Sequence, residues 1–203
     1  AIAADTTGAK RVWERVSTQK ATGKGVLVGV IDTGLDKNHP EFSEKGKVKG
    51  GYDFADNDED FSDENGHGTL DAGAIGGKGN KEYLRGMAYE ANLMIYKVFS
   101  KNQGATQGNV ISAIDRATAD KCKVIDLPLG HPGAVSSKDS SAYHNAISNA
   151  TKVGAIVVSA FGNWGSRGKT MPWPSSSPAS FEDAIAVGES NDRNFQIINL
   201  VSP

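Results

Sequence analysis

The chain alternates between short apolar runs and longer segments in which apolar residues recur every three or four positions. The short runs are rich in β-branched residues and predict buried strands at 26–31, 91–99, 124–129, 155–159 and 184–187. The helical spacing predicts helices at 9–17, 108–121 and 139–152. Because strands alternate with helices and no internal repeat competes, the pattern predicts an α/β fold with a parallel β-sheet flanked by helices.

Three polar side chains stand where they could do chemistry together. Asp32 ends the apolar run from Val26, His67 lies in a glycine-rich turn, and Asn163 follows the run from Val157. Functional groups in parallel sheets collect beyond the carboxyl ends of the strands, and a side-chain amide can donate to an oxyanion. Each residue alone also has a structural alternative, as a turn or helix cap. Together they predict an acid, a base and an oxyanion donor.

These residues and their neighbours resemble the motifs of the subtilisin-like serine peptidases, or subtilases. The shared segments are Val30-Ile31-Asp32-Thr33-Gly34 with His39-Pro40, His67-Gly68-Thr69, Gly162-Asn163, and Pro178-Ala179-Ser180 leading into Ala184-Ile185-Ala186-Val187-Gly188. They occur in the family's order and spread over nearly the whole chain. The resemblance implies a subtilisin-like fold and a serine endopeptidase with an Asp-His-Ser triad. Asp32 would be the orienting acid, His67 the general base and Asn163 the oxyanion donor.

The family's serine motif, Gly-Thr-Ser followed by small or apolar residues, does not occur in this sequence. We therefore expect residues 1–203 to be the N-terminal portion of a subtilisin-like peptidase domain, and this chain alone to be inactive. Residues 189–203 leave the family's pattern and are expected to begin an insertion or a different segment. The serine is expected on a C-terminal half, in the same precursor or on a separate chain. An open sheet edge then predicts association or instability of the isolated chain.

The resemblance also implies a cleft for a peptide or protein substrate. One wall would be an exposed strand edge at 127–130, to which an extended peptide adds as a further strand. The other wall would be the residues just before Asn163. The implied substrate-binding residues are Leu129, Gly130, Ser159, Ala160, Phe161 and Gly162. Phe161 stands where the family usually has a small residue, so a side chain that points into the cleft would narrow the pocket.

Two groups of acidic residues raise the question of a cation. By resemblance, Glu41 and Asn80 fall where many subtilases bind calcium, although Lys81 and Glu82 make that loop more charged than usual. The densest acidic stretch, 53–64, fits three interpretations: a solvated loop, a cation-binding loop, or a surface that attracts basic residues of a substrate. The glycine and closing glutamate of an EF-hand loop are not in place, so that motif is excluded.

Three departures from the family's pattern favour an alternative function. Asp71 lies four residues after His67, so on a helix its carboxylate could approach the imidazole and compete with Asp32. Pro128 removes a backbone donor from the implied binding strand. Asp126 puts a charge near a buried strand end, which is costly unless it is paired. The alternative is a catalytically inactive subtilase-like module, a pseudoprotease that keeps the cleft and binds peptides.

Composition narrows the remaining classes. The chain has 203 residues and a net charge of −2, so it can bury a core as one domain, and neither a nucleic-acid nor a membrane partner is expected. Its single cysteine, Cys122, cannot form an internal disulfide and is predicted to be a buried thiol. The first residues lack the pattern of a signal peptide and suggest a processed N-terminus. The resemblance, not the cysteine count, implies a secreted protein.

Overall fold

A computed structural model of the chain describes residues 7–15, 21–79, 85–101, 103–132, 140–163 and 176–188. Within these ranges there are eight strands: β1 (Leu27–Asp32), β2 (Val48–Asp53), β3 (Asn92–Lys97), β4 (Val124–Leu127), β5 (His131–Pro132), β6 (Ile156–Ala160), β7 (Ser176–Ser177) and β8 (Ala184–Val187). The four helices are α1 (Ala9–Arg15), α2 (His67–Gly76), α3 (Gln107–Ala119) and α4 (Ser140–Lys152), and a single 3₁₀ turn covers Pro40–Phe42.

Six of the strands form one sheet, in the order β2-β3-β1-β4-β6-β8. Every neighbouring pair in this sheet is parallel. Strand β1 therefore lies inside the sheet, between β3 and β4, and its carboxyl end meets the carboxyl ends of both neighbours. The remaining two strands, β5 and β7, form a short antiparallel pair. The α/β class and the parallel sheet predicted from the sequence are confirmed.

Two apolar cores lie on opposite faces of the sheet, because alternate residues of a strand point to opposite sides. Ile31 and Tyr96 belong to the core that helices α3 and α4 cover, and that core also buries Cys122. Val30 and Ile95, one residue before each of them, belong to the other core, where α2 contributes Ala72. The predicted burial of the thiol is confirmed, and burial raises its pKa.

The predicted strands and helices are observed with small shifts at their ends, and the structure adds the strands β2, β5 and β7. Helix α3 begins one residue early because the hydroxyl of Thr106 accepts a hydrogen bond from the backbone N–H of Asn109, a normal N-cap. Helix α1 ends at Arg15, and the rest of the predicted helix lies outside the described residues. Strand β2 has no counterpart among the predictions, because its glycines and lysine hide the apolar pattern.

The outermost described strand, β8, leaves part of the sheet uncovered. Ile185 is 54% exposed and Val187 is 48% exposed. An apolar edge of this kind is a surface on which further structure can pack. None of the helices in the described part of the chain combines the length and the apolar character needed to span a bilayer.

Candidate active site

Asp32 and His67, separated by 35 positions in the sequence, meet at the carboxyl edge of the sheet. Asp32 is the last residue of β1 and is 1% exposed, while His67 is the first residue of α2. The imidazole Nδ1 lies 2.7 Å from Oδ2 and 3.0 Å from Oδ1 of Asp32. Because a carboxylate accepts, Nδ1–H donates and the tautomer leaves Nε2 free to take a proton. This is the geometry that a histidine base needs.

The close approach of α2 to the end of β1 depends on Gly68. Its backbone N–H donates to the hydroxyl of Thr33 at 2.8 Å. A Cβ at this position would lie 2.4 Å from the carbonyl oxygen of Gly34 and 3.2 Å from Cβ of Asp32. Only glycine fits here, so the His-Gly sequence is a packing requirement of the site.

Asp63 ties together the loop, the strand end and the helix that form the site. Its Oδ1 accepts hydrogen bonds from the Thr33 hydroxyl and from the backbone N–H groups of Asn65 and Gly66, each at 2.9 Å. Its Oδ2 accepts from the backbone N–H and the hydroxyl of Thr69, at 3.0 Å and 2.6 Å. Burial acts to raise the pKa of Asp63, but these hydrogen bonds together lower it to about 2. Sequence reasoning missed this residue, although its Asp-x-x-Gly spacing is a turn signal.

The protonation of the pair follows from its surroundings. Burial raises the pKa of Asp32 to about 6 against the opposing charge and hydrogen bond of His67. Burial lowers the pKa of His67, but the charge and hydrogen bond of Asp32, with the charges of Asp71 and Asp63, outweigh it and raise the pKa. On β4, burial raises the pKa of Asp126 to about 7, assisted by the charges of Asp71 and Asp32. The unpaired charge expected at Asp126 is thus reduced near neutral pH by protonation.

Asn163 and the implied substrate-binding residues lie at the same edge of the sheet, on the other side of β1. Strands β4 and β6 pair directly, so the segments that follow them adjoin. Leu129 and Phe161 are half-buried, and Gly130 is exposed; a Cβ on Gly130 would lie 3.5 Å from the carbonyl oxygen of Ala160. The backbone N–H of Phe161 donates to the carbonyl of Val187.

The polar members of this group differ in exposure. Ser159 is 1% exposed, whereas Asn163 is exposed and follows Gly162, whose φ of +101° is in the left-handed region that favours glycine. Asn163 forms no hydrogen bond with Asp32 or His67 among the described residues. The structure therefore joins the acid and the base, whereas Asn163 follows β6, which β4 separates from β1.

The acidic segment 53–64 is not a uniform solvated loop. Asp53 is buried and pairs with the buried Lys97, with Nζ 2.8 Å from Oδ2. Asp56, Asp58, Glu59 and Asp60 are exposed. Glu64 lines a cavity of about 280 Å³ together with Thr33, Asn65, Lys97, Phe99, Ser100, Lys101 and Gln103. Different acids in the segment thus serve packing, solvation and the cavity wall.

Of the two predicted calcium ligands, Glu41 lies among the described residues. Glu41 is 2% exposed in the 3₁₀ turn, and its Oε2 accepts a hydrogen bond from the backbone N–H of Gly79 at 2.6 Å. Asn80, the next residue, lies outside the described residues, and the calcium site stays a prediction.

Elsewhere, Asp32, His67 and Asp71 bring ligand atoms within 4.8 Å of one another. We assign that group to hydrogen bonding, because the shortest contact joins the imidazole N–H to a carboxylate.

A buried carboxylate in contact with a half-exposed imidazole at the carboxyl edge of a parallel sheet is an arrangement suited to general acid–base chemistry. Comparison with known proteins is more specific. The chain belongs to the subtilase family of serine proteases, whose sequence profile matches residues 23–199. The family predicted from the sequence is confirmed.

Individual relatives agree with this assignment. The chain is 39% identical over 171 residues to the major intracellular serine protease of Bacillus subtilis (strain 168). The matched segment covers 82% of this chain and 51% of that protease. It is 37% identical to thermitase of Thermoactinomyces vulgaris, over 86% of this chain and 58% of thermitase. The chain thus spans little more than half the length of these relatives. Other relatives are named extracellular, so the predicted secretion stays a prediction.

Solved structures show the same fold. The crystal structure of a cold adapted subtilisin-like serine proteinase superposes with a TM-score of 0.68 at 32% identity, over 91% of this chain and 64% of that one. The nisin leader peptidase NisP of Lactococcus lactis superposes with a TM-score of 0.70 at 28% identity, over 91% of this chain and 62% of NisP. The fold is therefore subtilisin-like.

Proposed function

We propose that this chain supplies three functional groups of a serine endopeptidase. Asp32 is the orienting acid, His67 the general base and Asn163 the oxyanion donor. The observation that carries the proposal is the 2.7 Å contact between Nδ1 of His67 and Oδ2 of Asp32, in a member of a serine protease family. The nucleophilic serine comes from a C-terminal half, in the same precursor or on a separate chain. The substrate is a peptide or protein bound along 127–130.

In the proposed reaction, the serine oxygen attacks the scissile carbonyl carbon while its proton passes to Nε2 of His67. Asp32 accepts the Nδ1–H and stabilises the imidazolium that forms. The side-chain amide of Asn163 donates to the developing oxyanion. The imidazolium then gives its proton to the leaving amine, and a water molecule activated by the same base releases the acyl group. Asp32 and His67 already stand in the contact that this sequence of proton transfers requires.

The first test is to find the serine. The native protein that contains this chain is treated with a fluorophosphonate probe, denatured, and analysed by intact mass. We expect the label on a serine outside residues 1–203, on a longer chain or on a second polypeptide. His67→Ala should abolish labelling and peptide hydrolysis. The control is His144→Ala, which removes a histidine on α4 that pairs with Asp183. It should change neither the labelling nor the hydrolysis. Full labelling and turnover in His67→Ala would refute the proposal.

The second candidate, a peptide-binding module without turnover, has one observation in its favour. Oδ2 of Asp71 lies 3.4 Å from Nδ1 of His67, so a second carboxylate contacts the nitrogen that Asp32 orients. If the native protein binds an unlabelled peptide but neither reacts with the probe nor cleaves the peptide between pH 6 and pH 10, the binding module replaces the endopeptidase. These pH limits lie about half a unit below and about three and a half units above the usual histidine pKa of about 6.5.

We further propose that calcium binds at Glu41 and Asn80. The support is a buried carboxylate oxygen beside the segment that leads into Asn80, since hard oxygen ligands suit calcium. The ion would link the 3₁₀ turn to the segment after Gly79 and stabilise both. A chelator should lower the melting temperature of the protein, and Glu41→Gln should remove most of that response. An identical melt with and without chelator would refute the site.

A further inference from the structure

A second carboxylate lies beside the candidate base. Asp71 follows His67 by four positions on α2, a spacing that puts both side chains on one face of the helix. Oδ2 of Asp71 is 3.4 Å from Nδ1, the same nitrogen that lies 2.7 Å from Asp32. Among the described residues, Asp71 forms no other ion pair or hydrogen bond. Within the described part of the chain, the imidazole is therefore the group that pairs with the Asp71 carboxylate.

The two carboxylates differ in what it costs to keep them charged. The side chain of Asp32 is 1% exposed, whereas that of Asp71 is 28% exposed. Burial raises the pKa of Asp32 to about 6, so part of its charge is lost in mildly acidic solution. The Asp71 carboxylate keeps more contact with water, so a charge there loses less solvation than a charge on Asp32.

The charged and titratable groups around His67 come from four parts of the fold. Asp32 faces it from β1, Asp71 from α2, Asp63 from the loop before α2, and Asp126 from β4. All four are acids, and the described charges that act on the imidazole are negative. Removing any one of them makes the imidazolium less stable, and Asp71 is the nearest after Asp32.

We propose that Asp71 is a positioning residue that shares the Nδ1 hydrogen of His67 with Asp32. Two consequences follow. The imidazolium is more stable than Asp32 alone would make it, so the base works at higher pH. The correct tautomer also survives the loss of Asp32, because Asp71 still accepts from Nδ1. The contact itself does not depend on hydrolysis, but its effect on catalysis rests on the function proposed above.

The direct test is a titration of His67 in the native protein that contains this chain, followed by NMR of the imidazole carbons and assigned with His67→Ala. Asp71→Asn should lower the pKa of His67 by about half a unit to one unit, the low end of the effect of a nearby opposite charge, because the ring is half-exposed. Asp115→Asn, which removes one exposed charge from α3, should leave it unchanged, and His144 should titrate alike in all forms. An unchanged His67 pKa in Asp71→Asn would overturn the proposal.

Asp71→Val repeats the titration with a different neutral side chain, should the amide disturb the helix. The same shift in both variants identifies the lost carboxylate as the cause. A shift in Asp71→Asn with none in Asp71→Val would mean that the new amide, not the missing charge, acts on His67, and would also overturn the proposal.

The catalytic consequence is measured in the native protein that carries the serine. Asp71→Asn should move the acid limb of kcat/KM to lower pH by the same amount as the titration shift. Asp32→Asn should retain about tenfold more activity than Asp32→Asn/Asp71→Asn, because two groups that act on one proton are not additive. Equal activities of these two variants would overturn the shared-proton proposal. A native protein with no hydrolysis would refute the proposed function instead, and the titration would still decide whether Asp71 acts on His67.

Discussion

The substitution Asp63→Asn should destabilise the chain although Asp63 belongs to neither core. The carboxylate accepts five hydrogen bonds, and asparagine keeps one oxygen and turns an NH₂ group toward N–H donors. Hydrogen bonds to a charged group contribute about 1.5–3 kcal/mol each, so losing the two at Oδ2 costs about 3–6 kcal/mol before the loop relaxes. The pKa of about 2 gives a smaller figure. Its distance from the ordinary value corresponds to about 2.5 kcal/mol, which we reduce to about 1–2 kcal/mol because Asp63 is partly exposed.

We take about 2 kcal/mol as the expected loss of unfolding free energy. For a chain of this length that loss lowers the melting temperature by about 4–8 °C. The assay is urea unfolding at pH 7, followed by circular dichroism, with the melting temperature as a second readout. Glu59→Gln, an exposed acid in the same segment, is the matched control and should change neither quantity measurably. A loss below about 0.5 kcal/mol in Asp63→Asn, equal to that of the control, would show that Asp63 does not hold the loop to the strand and the helix.

Three further predictions concern stability. Lys97→Met should lower the unfolding free energy by about 3–5 kcal/mol, because it leaves the buried Asp53 carboxylate without its cation. The double variant with Asp53→Asn should be more stable than Lys97→Met, and no recovery of stability in the double variant would contradict this. Gly68→Ala should lower the stability of the fold, because its Cβ would meet a carbonyl oxygen at 2.4 Å. Gly73→Ala lies on the same helix with open space around it and should raise the unfolding free energy by about 0.5–1 kcal/mol. Equal effects of the two substitutions would show that the close approach at Gly68 is not rigid. The stability that Asp63 contributes should be complete above its ordinary pKa of 3.8 and should decline as pH falls toward about 2. The unfolding free energy of Asp63→Asn should therefore depend less on pH in that range than that of the unsubstituted protein. The same pH dependence in both proteins would refute the contribution of Asp63 to acid unfolding.

The sequence was sufficient for five of the six strands of the sheet and for the places of Asp32 and His67 within their own segments, because these depend on patterns within short segments. A β-branched run that ends in an acid specifies a strand and puts the acid at its carboxyl edge. The helix that begins at His67 follows from a glycine turn and small residues. Motif order then brought the two segments together through the family resemblance, which no local pattern could have done.

Pairings between distant segments were not predictable in the same way. Strand β2 lacks the residues that favour strands; it forms because it pairs with β3, and Gly51 allows the approach, since a Cβ there would lie 2.2 Å from the carbonyl oxygen of Ile95. The acidic segment 53–64 allowed three interpretations because its sequence does not place Lys97 beside it. Once Lys97 is buried beside it, Asp53 becomes an internal partner and no longer a solvated charge.

The site divides into a part that this chain completes and a part that it leaves open. Asp32, Asp63 and His67 lie on the β1 and α2 side of the sheet, and among the described residues the side-chain contacts that orient them come from residues 32–71. The Asp32–His67 contact is therefore held by residues that are close together in the sequence or at the adjoining ends of β1 and α2. The opposite side of the sheet ends in β8, whose exposed Ile185 and Val187 are the kind of surface that further structure covers. Under the proposed function, a segment that brings the serine and packs on β8 would therefore meet an imidazole that Asp32 already orients.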